Sequence, residues 1–594
     1  MKRPELWGVV YLITLTIIIY MGSTWNTPLF DDTDSFYAEV AREMCTLHDW
    51  ITPHANSIRF MEKPPLFYWL ISLSYTATGV MNAFTTRLPS VLSIIALVYV
   101  TFRIGRLIFG WRTGLLGGLA LATSVGVFLP TRVILPEAPL TLFIALLFYS
   151  FLRWERSDHK SAPLLWMYAF CGLAVMTKGL IGIVFPVAIL FFTFLATGRL
   201  REISKLLSFK GVLIFLAITV PWHLLMGMRN EGFFWFYFIN EHLLRFLGLR
   251  YPMDYGTVPL VPFWLLHMLW LFPWSFYLVT LCRPTHFRRV LAENGRDAAL
   301  LFSWAITIFL FFSVSSRLEY YTFPALPPLA ILAANQCMFY WEKNLRKPGV
   351  ALSAISFLIG ASLVGIAIFL TTGAVDGMLK PTGGHGIYLY HFGPLFDLSP
   401  EILHTLRAPL LLAGAGLGIA LPLHIFVKGC ETKTVAMTVG MIFFFAAAYL
   451  GLLNFSPILT TKPIADEIIR HRHERPVIII DGRYEEMSSL AFYVRQPVLV
   501  HNGRSFNLEY GSRYPDAPPI FLDDTGLSRL WNQSKRPIFI VTTRAKQRHL
   551  ESVIPRNRYR VAEYGDKVLF ASRPMDLIYC ISPEKGGRDQ RIRR

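Results

Sequence analysis

Acidic residues are concentrated in one short segment directly after an apolar run. Asp31, Asp32 and Asp34 occupy three of four successive positions. Negative charge at a membrane interface is costly unless it is solvated, paired or bound to a cation. Such carboxylates could therefore bind a cation or activate a hydroxyl group. Alternatively, they form a solvated turn that caps the following helix, because aspartate is a good N-cap residue.

Two further ionisable residues lie at the ends of other apolar runs. Glu137 begins one run, and Lys178 joins two runs with almost no loop between them. An acid at a helix start could act as a partner of the helix dipole. A lysine at this place could extend to lipid headgroups, and a phosphate-binding role needs further support.

Histidine and arginine side chains add to this set. Imidazole together with carboxylate suits zinc or manganese, so His242 and Glu62 could form part of a divalent-metal site. A histidine satisfied by a backbone or headgroup partner is the alternative. Arg317, which is followed by tyrosines, is either an interfacial anchor or a bidentate phosphate clamp.

The composition shows what kind of protein must position these residues. Of 594 residues, 54% are hydrophobic and 16% are charged, and the mean hydropathy is +0.44. Soluble domains carry about 25% charged residues, so the chain is predicted to be a polytopic membrane protein. Its net charge of +18 fits either an anionic partner such as nucleic acid or the basic bias of cytoplasmic loops.

Thirteen apolar stretches are long enough to be read as membrane spans. They are residues 7–23, 88–109, 112–129, 136–152, 161–177, 179–197, 211–227, 258–281, 298–314, 320–341, 350–372, 406–428 and 434–453. A shorter stretch, residues 66–80, could cross the bilayer or lie along its surface. If it is interfacial, nearly every short basic loop falls on one side, as the positive-inside rule requires.

This topology places the amino terminus inside and residues 24–87, 229–257, 373–407 and the segment after residue 453 outside. The positive charge is then explained by topology and by the carboxyl-terminal segment, and no nucleic-acid partner is expected. We predict a transmembrane domain over residues 1–453 and an extracytoplasmic α/β domain over residues 454–594. Short buried strands at 477–481, 497–500 and 537–541 and a hairpin near 559–570 favour the α/β assignment.

Two absences in the sequence restrict the chemistry further. Six cysteines lack CxxC spacing, so neither a disulfide framework nor a zinc ribbon is expected. The predicted cytoplasmic side has no glycine-rich phosphate loop, Walker lysine motif or dinucleotide fingerprint. An enzyme that works at the outer face without a nucleotide cofactor would most naturally use a lipid-linked donor.

Several ordered motifs carry a resemblance to a known family. They are residues 32–39, 41–44, 49–53, 62–66, 177–179, 241–246 and 312–315. Together they resemble the polyprenyl-phosphate-dependent glycosyltransferases of the GT-C fold, nearest to the ArnT-like aminoarabinose lipid A transferases and related to the protein O-mannosyltransferases. The resemblance covers residues 24–329, and it extends more loosely to residues 456–463 and 488–493.

The resemblance implies roles for the residues above. The catalytic acids would be Asp32 or Asp34, together with Glu137. The resemblance places binding of the substrate or its lipid phosphate at Tyr37, Lys63, Lys178, Arg245, Arg317 and Tyr320. It also allows a divalent metal, zinc or manganese or magnesium, at Glu62 and His242. This sequence departs from the family pattern at Phe36, where arginine is usual, at Glu137, where aspartate is usual, and at Arg317, where lysine is commoner.

The implied function is transfer of a sugar, aminoarabinose-like or another pentose or hexose, from a polyprenyl-phosphate donor. The implied acceptor, at the outer face of the bacterial inner membrane, is lipid A or another envelope glycolipid. Direct attack of the acceptor at the anomeric carbon would invert its configuration. A protein O-glycosyltransferase of the same fold is the alternative within the enzyme class. A secondary transporter is the alternative from another class, but transporters concentrate charges near the midplane, and here they lie at predicted outer helix ends.

Overall fold

The structure is a computed structural model of the chain. It describes residues 3–157, 159–252, 257–371, 400–555 and 557–574, without the side chains of residues 400–402. Most of the predicted outer loop 373–407 lies outside the described residues, as do residues 253–256 of the loop 229–257 and the last twenty residues of the predicted α/β domain, which include Cys580.

The first part of the chain is helical, because a backbone in hydrocarbon must satisfy its own hydrogen bonds. The helices are α1 (Arg3–Gly22), α2 (Thr33–Leu47), α3 (Leu66–Thr78), α4 (Ala83–Phe109), α5 (Trp111–Ala122), α6 (Val125–Phe128), α7 (Glu137–Glu155), α8 (Ser161–Lys178), α9 (Ile181–Ala196), α10 (Phe209–Arg229), a π-helix (Trp235–Leu244), α11 (Leu260–Trp270), α12 (Ser275–Leu278), α13 (Pro284–Val314), α14 (Leu326–Glu342), α15 (Lys347–Phe369), α16 (Pro400–Thr405), α17 (Arg407–Ala415) and α18 (Cys430–Leu459).

The chain is a multi-pass membrane protein. Among the described residues, eight helices are long and apolar enough to cross a membrane, and the number rises to ten if each of two bent helix pairs counts as one span. Each of the thirteen predicted stretches falls on helical structure. The full count of thirteen spans stays a prediction, because several of the remaining helices are short.

Two stretches expected to be single spans are bent. Helices α5 and α6 meet at 57°, where the hydroxyls of Thr123 and Ser124 donate to the carbonyls of Leu119 and Ala120; such side-chain bonds compete with helix continuation. The pair α11 and α12 meets at 111°. Pro273 lies in this break, and it has no N–H with which to continue a helix.

Helix α3 takes up most of the undecided stretch 66–80. It has 13 residues, and at 1.5 Å per residue this is shorter than the roughly 30 Å of a hydrocarbon core. Its serines tie it to its neighbours, since Ser72 Oγ donates to the carbonyl of Ala41 in α2 and Ser74 Oγ to that of Thr85 in α4. The helix therefore belongs to the first long loop, which also contains a small hairpin of β1 (His54–Ala55) and β2 (Ile58–Arg59).

The carboxyl-terminal region is an α/β structure around a mixed sheet. The strands are β3 (Val477–Asp481), β4 (Leu499–His501), β5 (Phe521–Leu522), β6 (Ile538–Thr543), β7 (Tyr559–Tyr564) and β8 (Lys567–Ala571), in the order β5-β4-β3-β6-β8-β7. Pairs β5–β4, β4–β3 and β3–β6 are parallel, whereas β8 is antiparallel to β6 and β7. Its helices are α19 (Lys462–Arg470), α20 (Ser489–Val494), α21 (Asp524–Gln533) and α22 (Arg544–Val553).

The α/β region shares a hydrophobic core with the first loop. Phe36 and Val40 of α2 are buried in one cluster with Ile464, Tyr484 and Leu490. Helix α18 also continues past the predicted boundary at residue 453 and ends at Leu459. The division of the chain into residues 1–453 and 454–594 therefore stays a prediction.

Candidate active site

An open cavity lies where the first loop, the starts and ends of membrane helices and the α/β region meet. Seven of the predicted site residues line it, and four do not. The lining residues are Thr33, Phe36, Tyr37, Phe60, Glu62, Lys63, Leu135, Pro136, Glu137, Lys178, Arg245, Leu318, Tyr320, Tyr321 and Asn507. The predicted residues that lie outside the lining are Asp32, Asp34, His242 and Arg317.

Glu137 and Lys178 meet at one wall of the cavity. Glu137 is the first residue of α7 and Lys178 is the last residue of α8, so two antiparallel helices bring the groups together. They form a buried ion pair between Lys178 Nζ and Glu137 Oε1. The same ammonium group lies 4.6 Å from the ring centroid of Tyr321, within the range of a cation–π contact.

Four further charged residues, Glu62, Glu241, Arg245 and Arg250, form a chain of alternating charges, and two of them, Glu62 and Arg245, line the cavity. Glu241 accepts from Arg250 Nε at 2.6 Å and from Arg245 at 2.9 Å. Arg250 also pairs with Glu62 at 2.5 Å. Sequence reasoning did not select Glu241 and Arg250 as site residues, although the four-residue spacing of Glu241 and Arg245 is that of neighbours on a helix face.

Lys63 differs from the other two cations of the cavity. Within the described ranges, no carboxylate lies at ion-pair distance from Lys63, whereas Lys178 and Arg245 each pair with a glutamate. Burial, together with the charge of Arg245, lowers the pKa of Lys63 to about 8. Burial raises the pKa of Glu62 to about 7, against the attraction of Arg250. Lys63 therefore presents a positive charge to the cavity at neutral pH.

Asp34 is fully buried and fastens the first loop to the membrane helices. Its Oδ2 accepts from Arg87 at 2.5 Å and from the backbone N–H of Phe30 at 2.8 Å, and its Oδ1 accepts from the N–H of Ile134 at 2.8 Å. Ile134 precedes Glu137 by three residues. In this structure Asp34 thus holds the backbone segment that leads to Glu137, and its own side chain does not line the cavity.

Of the remaining predicted residues, some line the cavity and others make structural contacts outside it. Tyr37 and Tyr320 line the cavity, but Asp32 does not, and its backbone N–H donates to the carbonyl of Glu485 at 2.8 Å. The guanidinium group of Arg317 donates to the backbone carbonyls of Val258 at 2.8 Å and Ser313 at 3.1 Å. Arg317 therefore fixes the chain around α13, at a place where the sequence suggested a phosphate clamp or an interfacial anchor.

His242 and Glu62 do not fit a metal site in this structure. His242 Nδ1 lies 2.5 Å from the carbonyl of Tyr237, and its Nε2 accepts from the N–H of Leu180 at 3.1 Å. Both ring nitrogens are thus engaged by the backbone, and Glu62 is paired with Arg250. Burial lowers the pKa of His242 to about 4, so the ring is a neutral acceptor. Over the residues described, no group of three His, Cys, Asp or Glu side chains is placed to hold a metal ion.

The chain is similar in sequence to several known proteins. Residues 62–224 match the model of the dolichyl-phosphate-mannose-protein mannosyltransferase family. An undecaprenyl phosphate-alpha-4-amino-4-deoxy-L-arabinose arabinosyl transferase of Pectobacterium atrosepticum is 25% identical over 550 residues, which cover 89% of this chain and 90% of that relative. A transferase of the same name from Pectobacterium carotovorum is 28% identical over 334 residues, 55% of this chain, and the match spans only 58% of that relative.

A solved structure decides the fold. The crystal structure of ArnT from Cupriavidus metallidurans bound to undecaprenyl phosphate matches with a TM-score of 0.77 and 22% identity, covering 95% of this chain and 98% of that one. The chain has the ArnT fold. The predicted resemblance to ArnT-like GT-C proteins is therefore confirmed, as is the predicted fold class of a polytopic helical bundle with a carboxyl-terminal α/β region.

Proposed function

We propose that this ArnT-like chain is a glycosyltransferase that moves a sugar from a polyprenyl-phosphate donor to a lipid acceptor. Lys63 carries the proposal, because it is a partly buried cation that lines the cavity without a carboxylate partner in the described part of the chain. An anionic phosphate would supply the missing charge. The names of the Pectobacterium relatives and the undecaprenyl phosphate bound to ArnT support the same donor class.

The other cations of the cavity would take up the leaving group. Lys178 and Arg245 are each held by a glutamate, so they keep fixed positions before the donor arrives. As the bond between the anomeric carbon and the phosphate oxygen breaks, these charges would stabilise the departing polyprenyl phosphate. We assign Tyr37 and Tyr320, which also line the cavity, to hydrogen bonds with the donor.

Glu137 is the acid that we propose to act on the acceptor. It lines the cavity, and its buried Oε2 makes no hydrogen bond within the described residues. In the proposed step the acceptor oxygen bonds to the anomeric carbon, its proton passes to Glu137, and polyprenyl phosphate leaves with the bonding electrons. Asp32 and Asp34 would position the first loop, and Arg317 the chain near α13, so these three act indirectly.

The acceptor and the sidedness are part of the proposal. We propose lipid A or another envelope glycolipid as the acceptor, an aminoarabinose-like sugar as the group transferred, and the outer face of the bacterial inner membrane as the site. Residues 454–594 would then form an extracytoplasmic domain. The match to the mannosyltransferase family model makes a protein hydroxyl the second candidate acceptor.

The test is a transfer assay with purified protein, radiolabelled polyprenyl-phosphate sugars and either a membrane lipid extract or protein acceptors. Label in the lipid fraction supports the proposal, and label only in protein would support the second candidate. Lys63→Ala should lower kcat/KM for the donor by about 100-fold, since a charge–phosphate contact is lost. Lys205→Ala, at an exposed lysine, is the matched control and should leave transfer unchanged. Equal activity of Lys63→Ala and wild type would reject the proposed donor site.

A further inference from the structure

The α/β region is joined to residues 31–35, the acidic segment, by a set of buried polar contacts, which we call the docking junction. The contacts involve residues that are more than 400 positions apart in the sequence. On the acidic segment they are made by Asp31, Asp32 and Ser35, and on the α/β side by Thr461, Glu485, Ser488, Ser489 and Lys567.

Asp31 is the centre of the docking junction. Its Oδ1 accepts from Ser489, from the N–H at 2.9 Å and from Oγ at 2.6 Å. Its Oδ2 accepts from Thr461 Oγ1 at 2.8 Å and from Lys567 Nζ at 2.7 Å. The side chains of Asp31 and Lys567 are only 9% and 6% exposed. Four donors from three places in the α/β region thus converge on one buried carboxylate.

The junction leads through Glu485 to the cavity. The carbonyl of Glu485 accepts from the N–H of Asp32 at 2.8 Å. Its side-chain Oε1 accepts from the N–H of Asn507 at 3.2 Å. Burial raises the pKa of Glu485 to about 8, so the side chain is mostly neutral at pH 7 and adds little repulsion near Asp32. One residue therefore connects the acidic segment to Asn507.

Asn507 is the α/β region's contribution to the cavity lining. In the part of the chain that the structure describes, its side-chain amide makes no hydrogen bond, whereas its backbone is fixed by Glu485. A carboxamide has two donors and one acceptor oxygen, which suits hydroxyl groups better than a phosphate that needs cations. Its place in the lining calls for a polar, uncharged partner.

We propose that Asp31 is a positioning residue whose docking junction holds Asn507 against the acceptor, and that the Asn507 amide binds hydroxyl groups of the acceptor's head group. This inference rests on the proposed function. The donor phosphate is drawn to the three cations, of which Lys63 lies in the first loop, Lys178 ends α8 and Arg245 directly follows the π-helix. The wall built by the α/β region is then left for the second substrate.

The docking junction is tested with Lys567→Met, Asp31→Asn and the double variant. Lys567→Met leaves a buried carboxylate without its cation, which is strongly unfavourable. We expect it to raise KM for the acceptor about tenfold, with KM for the donor unchanged within about twofold. The double variant removes both charges and should recover acceptor KM to within about threefold of wild type. A double variant as impaired as Lys567→Met would overturn the proposed role of Asp31.

Asp516→Asn is the matched control for a contact between the same two regions. Asp516 pairs with Arg59 of the first loop, but it is 66% exposed, and exposed ion pairs contribute little. Its acceptor KM should equal that of wild type. Hydrogen exchange of residues 30–37 should increase in Lys567→Met and not in Asp516→Asn. This readout needs no transfer, so it reports on the junction even if the proposed function fails.

Asn507→Ala tests the contact itself without touching the junction. It should raise acceptor KM by about five- to tenfold, as expected for the loss of one hydrogen bond, with the Tm and the hydrogen exchange of residues 30–37 unchanged. Because the variant leaves the buried core intact, folding is not at issue. Unchanged acceptor KM in an active Asn507→Ala enzyme would reject the proposed contact, and a raised donor KM would assign Asn507 to the donor instead.

Discussion

Asp31 and Asp34 are three residues apart in the chain, and they fix the acidic segment to two different regions. Asp34 pairs with Arg87 of α4 and holds the backbone before α7. Asp31 pairs with Lys567 in β8 and holds the α/β region. On the membrane side, the segment is aligned with the charged residues Glu137 and Lys178. On the other side it is aligned with a neutral amide. At the cavity, the membrane helices thus position charged side chains, whereas the α/β region positions an uncharged amide.

The largest effect is expected from removing the Asp34 carboxylate, which joins the acidic segment to the membrane helices. Asp34→Asn leaves Arg87 as an uncompensated buried charge, and loss of one partner of such a pair costs about 3–5 kcal/mol. We expect a large fall in Tm in thermal unfolding of the detergent-solubilised protein, and Arg87→Met combined with Asp34→Asn should restore part of it. If Asp34→Asn keeps the wild-type Tm but loses all transfer, Asp34 is a catalytic acid and our positioning role for it is wrong.

A smaller effect is expected from pH, because the residues that we assign to the donor titrate and the Asn507 amide does not. Because the pKa of Lys63 is about 8, its positive charge is present at pH 7 and is lost as the pH rises through 8. Glu62, with a pKa of about 7, gains negative charge over an overlapping range, which also opposes a phosphate.

We therefore expect donor kcat/KM to fall about tenfold between pH 7.5 and 9. The kcat/KM for the acceptor, measured at saturating donor, should fall less over this range. The bound donor phosphate is an anion next to Lys63, so it raises the pKa of this lysine and keeps it protonated. Lys63→Arg should keep donor kcat/KM nearly constant to pH 9, since arginine stays charged. A pH profile of this variant that matches the wild type would assign the titration to another group.

The smallest effect concerns how Lys178 is held. The His242 ring accepts from Leu180, two residues after Lys178, and a Cβ on Gly179 would lie 2.3 Å from His242 Nε2 at a backbone φ of +86°. We expect His242→Ala to lower transfer about fivefold, the equivalent of one hydrogen bond, and His242→Gln to retain more activity than His242→Ala.

Gly179→Ala disturbs the same turn without removing the imidazole, and it should impair transfer at least as much as His242→Ala. Metal analysis of the purified variants is the second measurement. A stoichiometric metal that is present in wild type and in Gly179→Ala but lost in His242→Ala would show that His242 is a metal ligand.

The sequence predicts the fold better than the site. Apolar stretches and short buried strands identify the helices and β3, β4 and β6, because their periodicity and length depend on local residues alone. The bends at Ser124 and Pro273 were not predicted, since an apolar run does not reveal where its backbone hydrogen bonds are interrupted. The two-residue strand β5 is too short to show a pattern.

Pairing between distant residues is the part that local patterns cannot give. Glu137 and Lys178 were both selected from the sequence, but their ion pair depends on the packing of α7 on α8. The sequence indicates that the acidic segment is important, but only the fold shows that Asp31 pairs with Lys567 and Asp34 with Arg87. Arg250 has no sequence feature that would link it to Glu62, and their contact comes from two separate loops.

The separation of 536 residues between Asp31 and Lys567 has a consequence for how the protein is made. Protein synthesis proceeds at about 5–20 residues per second, so Asp31 is synthesised roughly half a minute or more before Lys567. Throughout that time the first loop has no β8 to dock against. The contact between Asp31 and Lys567 can therefore form only after β8 has been synthesised, and a chain that stops before β8 lacks the cation of the docking junction.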